Sequence, residues 1–588
     1  MGTSHRRCRS SSALASLTSL LLFVSACGRE AGPPPPPSGE GLAPTAQADD
    51  APIRALYLCA NRFVVLNEHP FAVHVAWRIQ GTDEHGELTL KAAPDGDPAF
   101  SELEISARQA GNLVLFRDNE LLVVRENERH ACEPAVGRPS FDVAGSATVG
   151  EWATPQTWPI VPVHLHQLLD GRVLAWGKFG DPYVWNPSDN TFTAYPSGTN
   201  LFCSGHAPLA DGRLFVAGGH ISDNHGLPDA NIFDPKTSTW TALPPMKWGR
   251  WYPTVTELPS GQVVVVGGRD QNGVTVTTPE VWNGTSWRAL TGAIRNLPYY
   301  PRNFLAPNGR IFYAGELRRT LYLNTSNAGG WGLVGDRLFG TRDYGAAVMY
   351  EPGKILYVGG GRTTATAETI DLNAAAPAWK WANSMAYPRR HLNATMLPTG
   401  DVLVTGGTSG TSFNEVSLGV RIAELWNPQT GVWTQLASNA INRGYHATSI
   451  LLPDGRVLHA GSGDALDPNG NPYPPEPNGE LFSPPYLFKG ERPVISSLST
   501  SSPAYGATLT VNTPTPSAIS KVSLIAIGSA THAFDYSQRF MWLTFTKTST
   551  GVKALIPSSK TVAPPGYYML FILNGDGVPS VARFIRLH

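Results

Sequence analysis

Charged residues are scarce in this chain of 588 residues. Lysine and arginine number 45, aspartate and glutamate number 46, and together they make 15% of the sequence with a formal charge of -1. Because no basic surface is offered to nucleic acid, nucleic-acid binding is excluded as the function. The 59 glycines and 50 prolines favour many short strands and turns over long charged helices. We therefore predict an all-β protein with several domains.

The chain also lacks the usual signatures of a hydrolase. It contains no Gly-x-Ser-x-Gly sequence, and no convincing pair of catalytic carboxylates stands out. A hydrolase or lyase built on this fold class is therefore disfavoured.

The apolar run at the amino terminus, Ser11 to Val24, is too short to cross a bilayer. It follows the basic segment Arg6 to Arg9, an arrangement typical of an export signal. Val24-Ser25-Ala26-Cys27 resembles a bacterial lipobox, so we predict a signal peptide over residues 1–27 and lipid on Cys27. That anchor would be the protein's one link to a membrane, at the cell surface or in the periplasm. An ordinary signal peptide, with release outside the cell, is the alternative.

Cysteine is scarce as well, with five residues in the whole chain. Cys8 falls in the predicted signal and Cys27 would carry the lipid. Cys59 and Cys132 bracket one candidate domain, and in an oxidising compartment they can form a disulfide. Cys203 remains as an odd thiol, which is either buried and inert or covalently modified.

Composition divides the exported part of the chain into four regions. Residues 28–50 are rich in proline, glycine and alanine, which predicts a linker. Residues 51–136 carry short alternating apolar runs that predict a β-sandwich without a visible catalytic constellation. Residues 489–588 alternate in the same way and predict an immunoglobulin-like β-sandwich.

Residues 150–488 repeat a turn followed by an apolar strand. Subtraction gives intervals of 41, 49, 48, 44, 47 and 55 residues between the turn glycines. A period of about 40–50 residues with glycine and tryptophan punctuation is typical of a kelch-like propeller with four-stranded blades. We predict seven blades, with Trp240, Trp287 and Trp433 in late strands. The seven turn glycines are Gly171, Gly212, Gly261, Gly309, Gly353, Gly400 and Gly455.

Tyr445 and His446 stand side by side before the last of these turns. Neighbours in a regular strand point to opposite faces, so both could bind one metal only in a loop, in a bulge or where a strand begins. Arg443-Gly444, directly before them, permits such an irregular backbone. Taken alone, a Tyr-His pair is more often two half-buried residues than a pair of ligands.

Four segments in chain order resemble the copper-radical oxidases, the family of galactose oxidase and glyoxal oxidase. They are similar to the segments that carry the cross-linking cysteine, the radical tyrosine, the first copper-binding pair and the second histidine. In this chain they are Asn200–His206, Arg250–Thr254, Asn442–Leu458 and Gly528–Arg539, and the resemblance extends from about Leu168 to His588.

The resemblance implies one copper ion. His446 and His532 would be its equatorial ligands, Tyr252 the equatorial tyrosinate and Tyr445 the axial one. Nitrogen and oxygen ligands of this kind suit Cu(II) better than structural zinc. The resemblance also implies a thioether between Cys203 and Tyr252, whose ring holds a radical.

The implied activity is the oxidation of small aldehydes, as hydrates, or of primary alcohols, with dioxygen reduced to hydrogen peroxide. Tyr445 would accept the substrate's hydroxyl proton, and the Tyr252 radical would take hydrogen from its carbon. The alternative is a non-catalytic, kelch-propeller binding lipoprotein at the cell surface.

The form of the radical segment bears on the substrate. Arg250-Trp251-Tyr252 resembles the glyoxal oxidase branch more closely than galactose oxidase. Where galactose oxidase has a tryptophan stacked over the cross-linked tyrosine, this chain has Arg269-Asp270. Trp248, Trp251 and Tyr300 remain as candidates for the covering aromatic ring. We expect small aldehydes and primary alcohols to be better substrates than galactose.

Overall fold

The computed structural model describes residues 53–59, 61–67, 69, 71–92, 103–117, 120–125, 145–463 and 474–588. Regular structure in these ranges is nearly all β, with one short α-helix, α1 (Ser146–Val149), and three short 3-10 helices at Val416–Leu418, Pro485–Phe488 and Pro516–Ala518. No helix in the described ranges has the length and apolar character to cross a membrane. The predicted signal, lipobox and linker lie outside the described residues.

The amino-terminal domain is a sandwich of two antiparallel sheets, with strand orders β1-β2-β5 and β4-β3-β6-β7. Alternation along its strands buries one face, so that Val73 and Val75 are buried while His74 between them is exposed. Phe63 and Leu115 belong to the core that the two sheets share. The strands are β1 (Ile53–Cys59), β2 (Arg62–Asn67), β3 (Val73–Ile79), β4 (His85–Leu90), β5 (Leu103–Ser106), β6 (Leu113–Arg117) and β7 (Glu120–Arg125).

Seven antiparallel sheets follow, each built on four strands. Two short strands, β8 (Glu151–Trp152) and β9 (Gln156–Thr157), precede them. The first three sheets contain β10 to β13 (His164–Gln167, Val173–Trp176, Tyr183–Asn186, Thr191–Ala194), β14, β15, β18 and β19 (Gly205–Pro208, Leu214–Ala217, Ala230–Asp234, Thr239–Ala242), and β20 to β23 (Thr254–Glu257, Val263–Val266, Glu280–Trp282, Trp287–Ala289). A side ribbon pairs β16 (His220–Ser222) with β17 (His225–Gly226).

The next four sheets repeat the same plan. They contain β24 to β27 (Asn303–Leu305, Ile311–Tyr313, Arg319–Asn324, Gly330–Asp336), β28 to β31 (Ala346–Glu351, Lys354–Val358, Ala367–Asp371, Trp379–Ala382), β32 to β35 (Asn393–Met396, Val402–Thr405, Ile422–Trp426, Trp433–Ser438) and β36 to β38 (Ala447–Leu451, Val457–Gly461, Asn478–Ser483). The last sheet takes β8 as its fourth strand, which pairs with β38. A strand from the start of the propeller region thus completes the sheet at its end.

The repeated glycine turns explain why the sheets form. Each turn joins the first strand of a sheet to the second, and its glycine has a φ between 76° and 90°, a left-handed conformation in which side chains are disfavoured. The second strands are apolar and buried along their length, as in Val263–Val266. As predicted, Trp240, Trp287 and Trp433 lie in fourth strands.

The first strands of the sheets line a common centre. β14 contacts β20, β20 contacts β24, β28 contacts β32, and β32 contacts β36, while β36 contacts β10, so the last sheet adjoins the first. These sheets are therefore the blades of a propeller, which confirms the predicted all-β propeller class.

The carboxyl-terminal domain is a second sandwich, with sheet orders β39-β40-β46-β45 and β44-β41-β47-β48. Its hairpin β42-β43 leaves the sandwich, because β42 pairs antiparallel with β10 of the first blade. The strands are β39 (Ser497–Leu498), β40 (Thr508–Asn512), β41 (Ile519–Ala526), β42 (Ser529–Thr531), β43 (Phe534–Asp535), β44 (Phe540–Trp542), β45 (Phe545–Lys547), β46 (Gly551–Leu555), β47 (Gly566–Asn574) and β48 (Arg583–Leu587).

Candidate metal centre

Side chains collect at the propeller centre because the backbone before the first strands is left-handed. Six blades carry a non-glycine residue with positive φ within three positions of the first strand. Such a conformation costs about 1–3 kcal/mol per residue and persists only where the surrounding structure enforces it. The six residues are Cys203 (63°), Tyr252 (66°), Tyr300 (46°), Tyr344 (51°), His391 (59°) and His446 (68°).

Buried arginine-glutamate pairs hold four of these six backbone segments. Arg250 bonds Glu280 at 2.8 Å, and Arg443 bonds Glu480 at 2.9 Å, with all four side chains at most 1% exposed. The same arginines donate to the carbonyls of Gly267 at 2.8 Å and Gly461 at 2.7 Å. Each pair thus ties the segment before the first strand to the end of the second strand and the start of the third. Equivalent pairs join Arg342 to Glu368 and Arg389 to Glu424.

Four of the predicted site residues converge on one point. The Tyr252 Oη lies 2.5 Å from the Tyr445 Oη, 3.0 Å from the His532 Nε2 and 3.4 Å from the His446 Nε2. Tyr445 and His446 lie where β36 begins, so the alternation of a regular strand does not send their side chains to opposite faces. The positive φ of His446 allows the two rings to stack, with centroids 3.9 Å apart.

His532 comes from the carboxyl-terminal domain, in the turn of the β42-β43 hairpin. The Thr531 hydroxyl donates to the Val163 carbonyl at 2.8 Å, so its oxygen can accept from His532 Nδ1–H at 2.6 Å. The pairing of β42 with β10 and this side-chain contact together place the imidazole in the propeller centre.

The imidazoles of His446 and His532 both direct an unprotonated Nε2 towards the tyrosine oxygens. His446 Nδ1 lies 2.7 Å from the Gly463 carbonyl, which can only accept, so Nδ1 carries the hydrogen. Burial lowers the pKa of His446 to about 3, and burial with the neighbouring His446 lowers the pKa of His532 well below its ordinary value. Neutral rings with free Nε2 lone pairs are what metal coordination requires.

The tyrosines need a metal to ionise. Burial raises the pKa of Tyr252, as do the neighbouring Cys203 and Tyr445. Burial likewise raises the pKa of Tyr445, although hydrogen bonds with Tyr252 and Tyr344 act in the opposite direction. A bound cation reverses this effect because it stabilises the phenolate.

Cys203 lies against Tyr252 with no exposed surface. The Tyr252 N–H donates to the Cys203 carbonyl at 2.8 Å. The Tyr252 ring stacks on Trp251, with centroids 3.8 Å apart, and on Tyr300, with centroids 4.5 Å apart. Of the three candidate covering rings, these two therefore contact Tyr252.

The donor set fits copper. No group of three histidine, cysteine, aspartate or glutamate side chains that could hold a metal occurs in the part of the chain that the structure describes. The site instead combines two imidazole nitrogens with two phenol oxygens, a set suited to Cu(II). His446, His532, Tyr252 and Tyr445 are the residues that would hold it.

Three neighbours of Tyr445 were not predicted. Tyr344, His391 and Phe413 contact its ring, with centroids 5.4, 5.2 and 4.9 Å away. A signal for two of them exists in the sequence, because Tyr344 and His391 follow an arginine by two positions, as Tyr252 follows Arg250.

Cys27, the predicted lipid site, lies outside the described residues. Cys132 does so too, as does the side chain of Cys59. The lipid anchor and the Cys59–Cys132 disulfide therefore remain predictions.

Comparisons with known proteins point to one family. Family models match residues 204–247 as a kelch motif, 359–486 as the glyoxal oxidase N-terminus, and 492–587 as a galactose oxidase-like early set domain. A galactose oxidase of Gibberella zeae is 31% identical over 493 residues, covering 75% of this chain and 71% of its own length. The chain belongs to the copper-radical oxidase family.

Other members of this oxidase family are similarly related. The aldehyde oxidase GLOX of Vitis pseudoreticulata is 30% identical over 452 residues, covering 66% of this chain and 82% of its own length. A fungal alcohol oxidase of the AA5 family, solved in complex with copper, matches with a TM-score of 0.68 and 26% identity, covering 75% of this chain and 100% of its own.

Proposed function

We propose that the protein oxidises small aldehydes, as their hydrates, or primary alcohols, and reduces dioxygen to hydrogen peroxide. The observation that carries the proposal is the convergence of Tyr445 Oη, His446 Nε2 and His532 Nε2 within 3.4 Å of the Tyr252 Oη. Membership of the copper-radical oxidases and similarity to alcohol and aldehyde oxidases support it.

The proposed roles follow from position. Copper, when bound, would polarise the substrate oxygen and accept one of the two electrons that the reaction releases. Tyr445, as the phenolate that bound copper would stabilise, would accept the substrate's hydroxyl proton on its Oη. Tyr252, joined to Cys203 by a thioether and present as a radical, would take the hydrogen atom from the carbon and with it the second electron. Per turnover the hydrate loses two electrons and two protons to become the carboxylic acid, and dioxygen gains both to become hydrogen peroxide.

Small substrates suit the enclosure of the site. Tyr252 is 2% exposed and Tyr445 is 8% exposed. A sugar needs an aromatic platform and several converging hydrogen bonds, whereas a small hydrate needs only to bring one hydroxyl to Tyr445. Stacked Trp251 and Tyr300 cover the radical ring instead of offering such a platform.

The test is peroxide release by copper-loaded protein with glyoxal, methylglyoxal, glycolaldehyde and galactose. We expect activity with the aldehydes and the lowest kcat/KM with galactose. If galactose is the best substrate, the proposed preference is wrong. If copper binds stoichiometrically and no compound in a wider panel of aldehydes and primary alcohols yields peroxide, the protein is a non-catalytic binding module.

The proposed thioether has its own test. Its formation removes two hydrogens, so a digest of copper-loaded, oxygen-exposed protein should contain a joined Cys203–Tyr252 peptide lighter by that mass than its two parts. Protein prepared without copper should lack it. Separate, unmodified peptides from active enzyme would exclude the radical cofactor.

We also propose export with lipid on Cys27 and a Cys59–Cys132 disulfide. Labelled fatty acid should enter the wild type and not Cys27→Ser, and release of wild type with another amino-terminal residue would contradict the anchor. Closing the loop from Cys59 to Cys132 stabilises the fold by roughly 4 kcal/mol in the chain-entropy model. Alkylation of both cysteines in exported protein without reductant would argue against the disulfide.

A further inference from the structure

His391 is a histidine of the site that carries no assigned role. It occupies the position before β32 that Tyr252 and His446 occupy before their own first strands. It is 2% exposed, and its ring contacts those of Tyr445 (5.2 Å) and Tyr344 (4.6 Å) between centroids. Its backbone N–H donates to the Tyr344 carbonyl at 2.9 Å, which holds the two loops together.

One ring nitrogen of His391 is committed to the protein and the other is not. Nε2 lies 2.5 Å from the Phe413 carbonyl, and because a carbonyl only accepts, Nε2 carries the hydrogen. In a neutral imidazole whose hydrogen is on Nε2, the acceptor lone pair is on Nδ1. Nδ1 is therefore a buried hydrogen-bond acceptor, and it has no partner.

A buried nitrogen without a partner calls for an explanation, since most buried polar atoms are satisfied. Within the described ranges, His164 Nε2 and His459 Nε2 share this property. His164 instead stacks on Trp176, and His459 packs near Trp152. His391 differs from both because its ring contacts the tyrosine proposed as the base.

A cavity of about 300 Å³ lies between the amino-terminal sandwich and the propeller. Asp343 and Arg390, which line it, directly precede Tyr344 and His391 in the chain, and Arg62 of the amino-terminal sandwich lines it too. The Arg390 guanidinium also lies 5.3 Å from the centre of the Phe413 ring, which contacts Tyr445.

We propose that His391 is a specificity-determining residue whose Nδ1 accepts a hydrogen bond from the second hydroxyl of a hydrated aldehyde. This inference rests on the proposed function. A hydrate carries two hydroxyls on one carbon, of which one gives its proton to Tyr445 Oη and the other needs an acceptor. A primary alcohol has one hydroxyl and leaves Nδ1 unpaired, which disfavours it. His391 therefore selects hydrates over alcohols.

Two variants separate the ring nitrogens. In His391→Gln the amide reaches the position of Nε2 and can keep the bond to Phe413, while the acceptor at Nδ1 is lost. In His391→Asn the amide oxygen takes the position of Nδ1, and asparagine tolerates the φ of 59° well. We expect the ratio of kcat/KM for methylglyoxal over propanol to fall roughly tenfold in the Gln variant, the value of one hydrogen bond, and to be largely retained in the Asn variant.

A binding measurement makes the result independent of turnover. Chloral hydrate and trichloroethanol differ by one hydroxyl, and copper-free protein cannot oxidise either. Calorimetric titration should show roughly tenfold tighter binding of the hydrate to wild type, and no such difference in His391→Gln. His459→Gln, which alters a buried histidine away from Tyr445, should keep the wild-type preference.

Three outcomes would overturn the role of His391. They are an unchanged hydrate preference in His391→Gln, the same loss of preference in His459→Gln, and equal binding of the two probes by wild type. Copper content and the cross-linked peptide should match wild type in both His391 variants. If wild type binds the hydrate preferentially but releases no peroxide, the proposed oxidase function fails while the hydrate site stands.

Discussion

At the residue scale, the site depends on backbone conformations that most side chains avoid. Tyr252 and His446 have φ values of 66° and 68°, and both lie next to a buried arginine-glutamate pair. The strain at such positions is about 1–3 kcal/mol each and has to be offset by the surrounding fold. The propeller therefore supplies rigid positions for ligand atoms, as a preorganised metal site requires.

The Tyr445 hydroxyl gives the first prediction at this scale. Tyr445→Phe removes the oxygen 2.5 Å from the Tyr252 Oη and leaves both imidazoles in place. Copper should still bind, while kcat should fall roughly 10²- to 10⁴-fold because the base is gone. Metal analysis and peroxide release measure the two effects. Full turnover in this variant would show that another group accepts the proton.

Thr531 gives the second prediction at the residue scale. Thr531→Val keeps the shape of the side chain but removes the hydroxyl that bridges the Val163 carbonyl and His532 Nδ1. Loss of a partner that orients a metal-binding imidazole weakens metal affinity roughly 10- to 100-fold, so copper competition titrations should detect it. Thr561→Val is the matched control, because Thr561 donates to the Pro307 carbonyl of the propeller away from the site. Equal affinities in both variants would contradict this role.

At the scale of elements, the same connection recurs from blade to blade. Arg389 bonds Glu424 at 2.6 Å with both side chains fully buried, and it also donates to the Gly406 carbonyl at 3.1 Å. One residue pair thus joins the segment before the first strand, the end of the second strand and the third strand. Removing either charge leaves the other buried and unpaired, which is the expensive part of such a pair.

Glu424→Gln should therefore destabilise the protein by about 3–5 kcal/mol. Asp454→Asn is the comparison, because its pair with Arg456 has side chains 34% and 31% exposed. An exposed pair of this kind contributes at most about 1 kcal/mol. Denaturant unfolding of both variants gives the two values, and similar losses would show that the buried pair has no special role.

The elements themselves were predictable from local sequence, whereas their convergence was not. Glycine turns at regular intervals predict paired strands because a left-handed turn favours glycine wherever it occurs. The contact of Tyr344 and His391 with Tyr445 requires closure of the ring of blades, a long-range relation that periodicity does not contain. The choice of covering ring was open for the same reason, since Tyr300 reaches Tyr252 from the segment before β24 of the next blade.

At the scale of the whole molecule, the propeller and the carboxyl-terminal sandwich are joined by more than the hairpin that carries His532. Met396 and Val457 of the propeller share a hydrophobic cluster with Phe540 and Phe571 of the sandwich. Arg539 of the sandwich donates to the Leu305 carbonyl of the propeller at 3.0 Å. Movement of the sandwich would therefore displace a proposed copper ligand.

We expect Glu257, half-buried at the end of β20, to make this interface sensitive to pH. Burial raises the pKa of Glu257 to about 8, although the charge of Arg539 acts in the opposite direction. The Arg539 guanidinium donates instead to the carbonyls of Val562 and Leu305. The folded protein thus keeps a proton on Glu257 over a range in which the unfolded chain has released it.

The sign of the pH effect follows from this difference. Below the unfolded pKa, about 4.5, both states hold the proton and Glu257 adds no pH dependence. As the pH rises towards about 8, the unfolded state alone loses its proton, so stability falls across this window and levels off above it.

Glu257→Gln keeps the shape of the neutral acid but has no proton to lose. The Tm of this variant should therefore rise relative to the Tm of wild type as the pH increases from 5 to 8. Glu491→Gln, at an exposed position of the sandwich, should show no such trend. A constant Tm difference between Glu257→Gln and wild type across this range would mean that the Glu257 carboxylate is ionised at the interface.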